Sequence, residues 1–270
     1  MKTKTKIGFL GAGKMAEGIL CALSTLKGFD PQSVFMAEKS PERAKEMTRK
    51  YKVRVSSDTA LVAKEAPAMF LAVKPQDLET LSKEIKPFMG ADKLVVSIAA
   101  GKTIAVLKKM LGAKTRIIRV MPNLALRAKE GMCAICPAKN ATPKDVKFAK
   151  GILQAAGRVV ELKEKHFDAV TALSGSGPAF FAYMEKAMAK GGEALGLPPD
   201  AARLLAEQTM IGTGIYLRQS GADLDGFIDA VSSKGGTTAA GMDVMRSSDF
   251  SAVVAATLKA ASDRSAELGR

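Results

Sequence analysis

The chain has 270 residues, of which 47% are hydrophobic, and carries a formal net charge of +14. That length suits one large domain or two ordinary ones, with enough apolar residues to bury a substantial core. No apolar run approaches the roughly 20 residues that span a bilayer, and three cysteines make no disulfide framework, so the expectation is a cytoplasmic protein with no membrane partner.

The basic start, Met1 to Lys6, leads into Ile7-Gly-Phe-Leu10, which breaks at Gly11 instead of continuing as a signal-peptide core. A strand over Lys6–Leu10 therefore runs into Gly11-Ala12-Gly13-Lys14-Met15-Ala16, which fits G-x-G-x-x-(G/A). The first glycine permits a tight turn, the second lets backbone approach a pyrophosphate, and the small last residue lets helix and strand pack closely. The following helix then points its free N–H groups and positive end at the phosphates. Between a strand and a helix start, the motif predicts a bound dinucleotide.

Val34–Ala37 predicts the second strand. An acid at its end favours NAD through the ribose hydroxyls, and a basic residue accommodates the extra phosphate of NADP. Ala37-Glu38-Lys39-Ser40-Pro41-Glu42-Arg43 offers both, since Lys39, Ser40 and Arg43 suit a phosphate while Glu38 resists one. Ser40-Pro41 also reads as an N-cap with proline in the first helical position, a device repeated at Thr142-Pro143.

Further strands are expected at Met69–Val73, Leu94–Ile98 and Ile117–Met121, with weaker ones near Val53, Met132 and Val159. Strands separated by helices imply right-handed crossovers and a parallel, doubly wound sheet. Lys74 closes one strand at its carboxyl end, where α/β folds bind ligands. Cys133 and Cys136 form a C-x-x-C inside a strand-like stretch, with no second pair and no nearby histidine, so neither a zinc site nor a redox pair is expected. The excess of lysine and arginine lies within residues 1–163, alongside the dinucleotide turn, where a positive field suits a polyanionic cofactor. Dispersed lysines, few aromatics and the lack of a basic helix or finger spacing argue against a nucleic-acid partner.

Beyond residue 163 the strand pattern stops. Phe180–Leu195, Ala201–Arg218, Leu224–Val231, Thr237–Met245 and Ser251–Leu268 read as helices with Ala, Met and Leu at helical spacing. So much small apolar surface suits a half completed by a second copy of itself. The division expected is a dinucleotide-binding domain over 1–163 and a helical dimerisation and substrate-binding domain over 164–270. Two helix starts in the second half are rich in glycine and hydroxyls, Leu173-Ser-Gly-Ser-Gly-Pro178 and Val231-Ser-Ser-Lys-Gly-Gly-Thr-Thr238. Either suits an anion on backbone N–H groups, and the second exceeds what capping needs. The sole histidine, His166, follows Lys163-Glu-Lys165 at a solvated helix start. With no metal cluster or serine–histidine–acid set in sight, a reaction needing little acid–base help fits best. Reduction of a C=N bond qualifies, because a protonated imine already accepts hydride.

The chain resembles the pyrroline-5-carboxylate reductases nearly end to end. The resemblance is carried by Phe9-Leu-Gly-Ala-Gly-Lys-Met-Ala16, Leu71-Ala-Val-Lys-Pro75, Val96-Ser-Ile-Ala-Ala-Gly101, Arg119-Val-Met-Pro-Asn123, Asp168-Ala-Val-Thr-Ala-Leu-Ser-Gly-Ser-Gly-Pro-Ala179 and Val231–Thr238. It implies a Rossmann-type α/β domain followed by an all-helical dimerisation domain that interlocks with a second subunit, with decamers built from such dimers in the family. It implies NADPH as cofactor, with NADH as the other option, and an imino acid as substrate. Gly11, Ala12, Gly13, Lys14, Met15, Lys39, Ser40, Val73, Lys74, Ala100 and Asn123 would hold the dinucleotide. Ser233, Gly235, Gly236 and Thr237 would seat the substrate carboxylate, Thr238 would serve the ring nitrogen as the catalytic hydroxyl, and Glu164 would line the same pocket. The chain departs from the family at Lys234, usually proline, at Leu124-Ala125, usually Thr-Pro, and at Thr59 and Pro67. Those departures keep two alternatives in view: a reductase of another small cyclic imine, and a non-enzymatic dinucleotide-binding regulator.

Overall fold

Alternation along the first strand divides the core. The structure, a computed structural model, describes residues 6–269; the basic start up to Thr5 and the terminal Arg270 lie outside them. In β1 (Ile7–Leu10) every residue is buried, with Ile7 and Phe9 turned to one apolar cluster and Leu10 to another. A strand buried on both faces is what a sheet sandwiched between helices requires. The Phe9 and Phe70 rings stack at 4.9 Å within the first cluster.

The chain alternates through α1 (Lys14–Ser24), β2 (Val34–Ala37), α2 (Pro41–Tyr51), β3 (Arg54–Ser56), α3 (Thr59–Glu65), β4 (Ala68–Leu71), α4 (Leu78–Ile85), β5 (Leu94–Ser97), α5 (Ile104–Leu111), β6 (Arg116–Pro122), β7 (Gly131–Pro137), α6 (Pro143–Leu153) and β8 (Gly157–Glu161). The sheet order is β3-β2-β1-β4-β5-β6-β7-β8. It is the doubly wound order, with β1 and β4 adjacent at the point where the winding reverses. Side chains start the helices as the sequence predicts. Ser40 accepts from Arg43 N at the head of α2, and Thr142 and Asp145 form a reciprocal capping box on α6.

One expectation is corrected. The sheet is parallel from β3 through β6 and again between β7 and β8, but β7 runs antiparallel to β6, with Ile118 opposite Pro137 and Pro122 opposite Cys133. Residues 123–130 hold a single 3-10 turn, Leu124–Ala128, and are too few for the crossover that a parallel pairing needs. Cys133 and Cys136 lie on β7 in different apolar clusters. Burial pushes the Cys133 thiol up to about 12 and raises Cys136 as well, the opposite of a reactive thiolate.

After β8 come α7 (Phe167–Val170), a π-helical turn over Thr171–Gly175, then α8 (Gly177–Ala194), α9 (Pro199–Ser220), α10 (Leu224–Val231), α11 (Thr237–Ser247) and α12 (Phe250–Gly269). By compactness, the described residues up to 176 and from 261 onward form one unit and residues 177–260 the other. The last turns of α12 thus belong with the sheet, where Ser265 Oγ donates to Asp168 Oδ1 at 2.7 Å. Inside the helical unit, α8 and α9 pack together through small residues such as Ala202 and Ala206. Large apolar side chains there, among them Phe181, Tyr183, Leu195, Leu204 and Leu205, stay exposed. Among the described residues no helix is long and apolar enough to cross a membrane.

Candidate active site

The glycine turn follows β1 at the carboxyl edge of the sheet. Gly11 has φ +97°, and a Cβ there would lie 2.8 Å from the Ala72 carbonyl oxygen. Only glycine satisfies both demands. Gly11 N donates to Ala37 O at 3.0 Å and Ala72 N to Leu10 O at 2.9 Å, tying the turn to both neighbouring strands. Gly13 is the N-cap of α1 and contributes no capping side chain, so the first N–H groups of α1 stay open. These features enclose a cavity of about 420 Å³, lined by Gly11, Ala12, Gly13, Ala37, Glu38, Lys39, Thr59, Ala72, Val73, Lys74, Asp77, Thr80 and Leu81.

Charged side chains brace the turn from beneath. Arg43 Nε donates to Ala12 O at 2.8 Å, and its Nη2 lies 2.7 Å from Glu17 Oε2. Glu17, almost fully buried on α1, also takes Lys50 Nζ at 2.6 Å. Burial raises its carboxyl, but the hydrogen bonds from Lys50 and Arg43 outweigh that and bring it down to about 2. Above the turn, Glu38 Oε2 accepts from Ala12 N at 3.1 Å and Oε1 from Ser40 N at 2.9 Å. The Ser40 hydroxyl donates to Glu42, the Lys39 ammonium lies 3.7 Å from Glu84, and Thr59 hydrogen-bonds the same Glu84.

A second polar cluster lies across the sheet. Arg119, buried on β6, gives Nη1 to Glu164 Oε1 at 3.0 Å and stands 4.6 Å over the Phe167 ring. The same Glu164 oxygen accepts Ile104 N at 2.6 Å at the start of α5. Gly101, Thr103, Lys165, Asp168, Ala266 and Gly269 complete the walls of a cavity of about 410 Å³.

In the helical unit, the loop between α10 and α11 turns at Gly235, φ +71°, and ends on Gly236, an N-cap without a side-chain cap bond. Gly236 N donates to Ser233 O at 2.9 Å, and a Cβ on Gly236 would lie 2.5 Å from Ser233 Oγ. Ser233, Lys234, Gly235, Thr237 and Thr238 are exposed within the chain.

Six predicted cofactor residues, Gly11, Ala12, Gly13, Lys39, Val73 and Lys74, line one cavity, with Lys14 and Met15 opening α1 beside them. Ser40 caps α2, its hydroxyl engaged by Arg43 N and Glu42. Ala100 is exposed after β5. Asn123 accepts Met132 N at 3.1 Å and so braces the β6–β7 turn. Glu164 pairs with Arg119 and caps α5, and Ser233 through Thr238 fall in the other compact unit. His166 is exposed, as its charged neighbours suggest. The sequence reading assigned no role to Arg119, Asp77 or Thr80. Arg119 alone had a signal, a charge inside an apolar strand pattern.

Residues 164–268 match the family model described as pyrroline-5-carboxylate reductase dimerisation. Residues 6–101 match the model for NADP oxidoreductase, coenzyme F420-dependent. The chain is 37% identical to a pyrroline-5-carboxylate reductase of Methanosarcina acetivorans and 38% identical to one of Synechocystis, each alignment covering 98% of both chains. Among solved structures, a pyrroline-5-carboxylate reductase of Coxiella burnetii superposes with a TM-score of 0.94 at 30% identity, covering 99% of this chain and 100% of that one. One of Plasmodium falciparum, with NADP bound, gives 0.88 at 27% identity and full coverage of both chains.

Proposed function

The chain belongs to the pyrroline-5-carboxylate reductase family, and from that premise we propose that it reduces 1-pyrroline-5-carboxylate to L-proline with NADPH or NADH, the last step of proline biosynthesis. The observation that carries the reading is the Gly11 turn with the open N-terminus of α1 at Gly13. The cavity's fit to a dinucleotide is physical. A side chain at Gly11 would fill the cradle, and the uncapped N–H groups suit a pyrophosphate.

The nicotinamide supplies the hydride when bound. Gly11 and Ala12 would shape the turn, and Gly13 through Met15 would hold the cofactor's phosphates on the open N–H groups at the head of α1, with Lys39, Ser40, Val73, Lys74, Ala100 and Asn123 as the remaining contacts of this proposal. Ser233, Gly235, Gly236 and Thr237 form the loop that would bring the imino acid's carboxylate to the open N–H groups at the head of α11. The Thr238 hydroxyl would hydrogen-bond the ring nitrogen, and Glu164 is assigned a further contact to the substrate. Because a protonated imine is already electrophilic, the residues act chiefly by orientation and by neutralising the carboxylate, effects able to supply ~7 to 11 kcal/mol when the geometry is right.

The proposal also assigns residues 1–163 to cofactor binding and 164–270 to dimerisation and substrate binding. It places a homodimer in the cytoplasm, with larger assemblies of dimers up to decamers. The exposed apolar side chains of α8 and α9 support a second copy as the covering partner. The test is purified protein with either nicotinamide and pyrroline-5-carboxylate. Loss of nicotinamide absorbance together with formation of proline is the expected result, and its absence with both cofactors overturns the reading.

A further inference from the structure

Glu38 stands where β2 ends, at the rim of the glycine-turn cavity. Both of its carboxylate oxygens are fixed, one by Ala12 N and the other by Ser40 N. Ala12 is fully buried, so swinging the carboxylate aside would leave a buried N–H without an acceptor, which is unfavourable. The charge is therefore pinned at the end of the second strand, the place from which Rossmann-type sites read the adenosine ribose.

The neighbouring cations are turned to other tasks. Arg43 is divided among Ala12 O, Glu17 and Glu46. Lys39 leans towards Glu84, and the Ser40 hydroxyl donates to Glu42 while accepting from Arg43 N. Lys74 lines the cavity from the end of β4, beside the glycine turn. We propose, building on the cofactor role assigned to this cavity, that Glu38 is a specificity-determining residue that accepts the 2′-hydroxyl of NADH and holds back the 2′-phosphate of NADPH. A carboxylate is an acceptor only, so it pairs with a ribose hydroxyl and repels a phosphate. Both nicotinamides are used, and Glu38 sets the balance between them towards NADH.

The test compares wild type, Glu38→Gln and Glu38→Ser. Adenosine 5′-monophosphate and adenosine 2′,5′-bisphosphate, which differ only in the 2′-phosphate, compete with NADH followed by its fluorescence. Wild type is expected to bind the monophosphate at least as tightly as the bisphosphate. Both variants are expected to shift that ratio about tenfold or more towards the bisphosphate, with the NADPH-to-NADH ratio of kcat/KM moving the same way. An unchanged ratio, or an equal loss for both nucleotides as a mere loop clamp would give, overturns the proposal. So does a wild type that prefers the bisphosphate, and this measurement decides alone if neither variant folds. Nucleotide binding without turnover of pyrroline-5-carboxylate would overturn the proposed reaction, while the binding ratio would still decide the role of Glu38.

Discussion

Arg43 and Ala12, 31 residues apart in sequence, meet at 2.8 Å where the guanidinium Nε–H donates to the carbonyl of the glycine turn. The remaining Arg43 nitrogens reach Glu17 and Glu46, so one side chain fastens α2 to the turn and to α1. Arg43→Ala should raise KM for either nicotinamide about tenfold, some 1.4 kcal/mol, and lower Tm. Steady-state kinetics with thermal unfolding checks this, and unchanged values would show that the turn holds itself.

Glu17 gives a pH prediction. Its folded carboxyl sits at about 2, well below its ordinary value, so its contribution is complete above the unfolded pKa of about 4.3. That contribution is lost as pH falls from there through 2. Denaturant unfolding of the chain between pH 6 and 2 should show a loss on the order of 2 kcal/mol from this group. Glu17→Gln should flatten that part of the curve.

Removing Glu164 should cost stability through its partner. Glu164→Ala leaves the Arg119 guanidinium buried without its carboxylate and Ile104 N without its acceptor. Breaking a buried pair from one side costs about 3–5 kcal/mol, and partial exposure of Glu164 puts the expectation near the lower end. Recovery in Arg119→Met/Glu164→Ala, measured by chemical denaturation, would separate this electrostatic cost from a loss of packing.

Thr238, the second residue of α11, is exposed. Thr238→Ala should lower kcat by about 10- to 100-fold, or 1.4 to 2.7 kcal/mol of barrier, and leave nicotinamide affinity unchanged. Unaltered turnover would remove Thr238 from the mechanism.

The exposed side chains of the helical unit, such as Phe181 and Leu204, predict self-association. Tm should rise with protein concentration, as it does when only the folded state assembles. A Tm independent of concentration, with a monomer in sedimentation, would refute it.

Local patterns determined much of this protein. Short apolar runs marked each strand to within a few residues, and caps such as Ser40 and Thr142 were legible because donor and acceptor lie three residues apart. Gly11-Ala-Gly13 was readable because its requirement is a backbone angle and a close approach that glycine alone meets. Tertiary structure decided what depends on strand order and reach. It set the antiparallel β6–β7 pairing and the pairing of Arg119 with Glu164 across 45 residues. It also brought the end of α12 to α7, where Ser265 meets Asp168. The end of β2 shows the divide most clearly. Read as sequence, Glu38, Lys39, Ser40 and Arg43 offer a ribose site and a phosphate site at once. In the fold, Ala12 N fixes Glu38 from 26 residues away, and Glu17 and Glu84 draw off the cations. Hydrogen bonds between residues so far apart leave no periodic trace in a sequence.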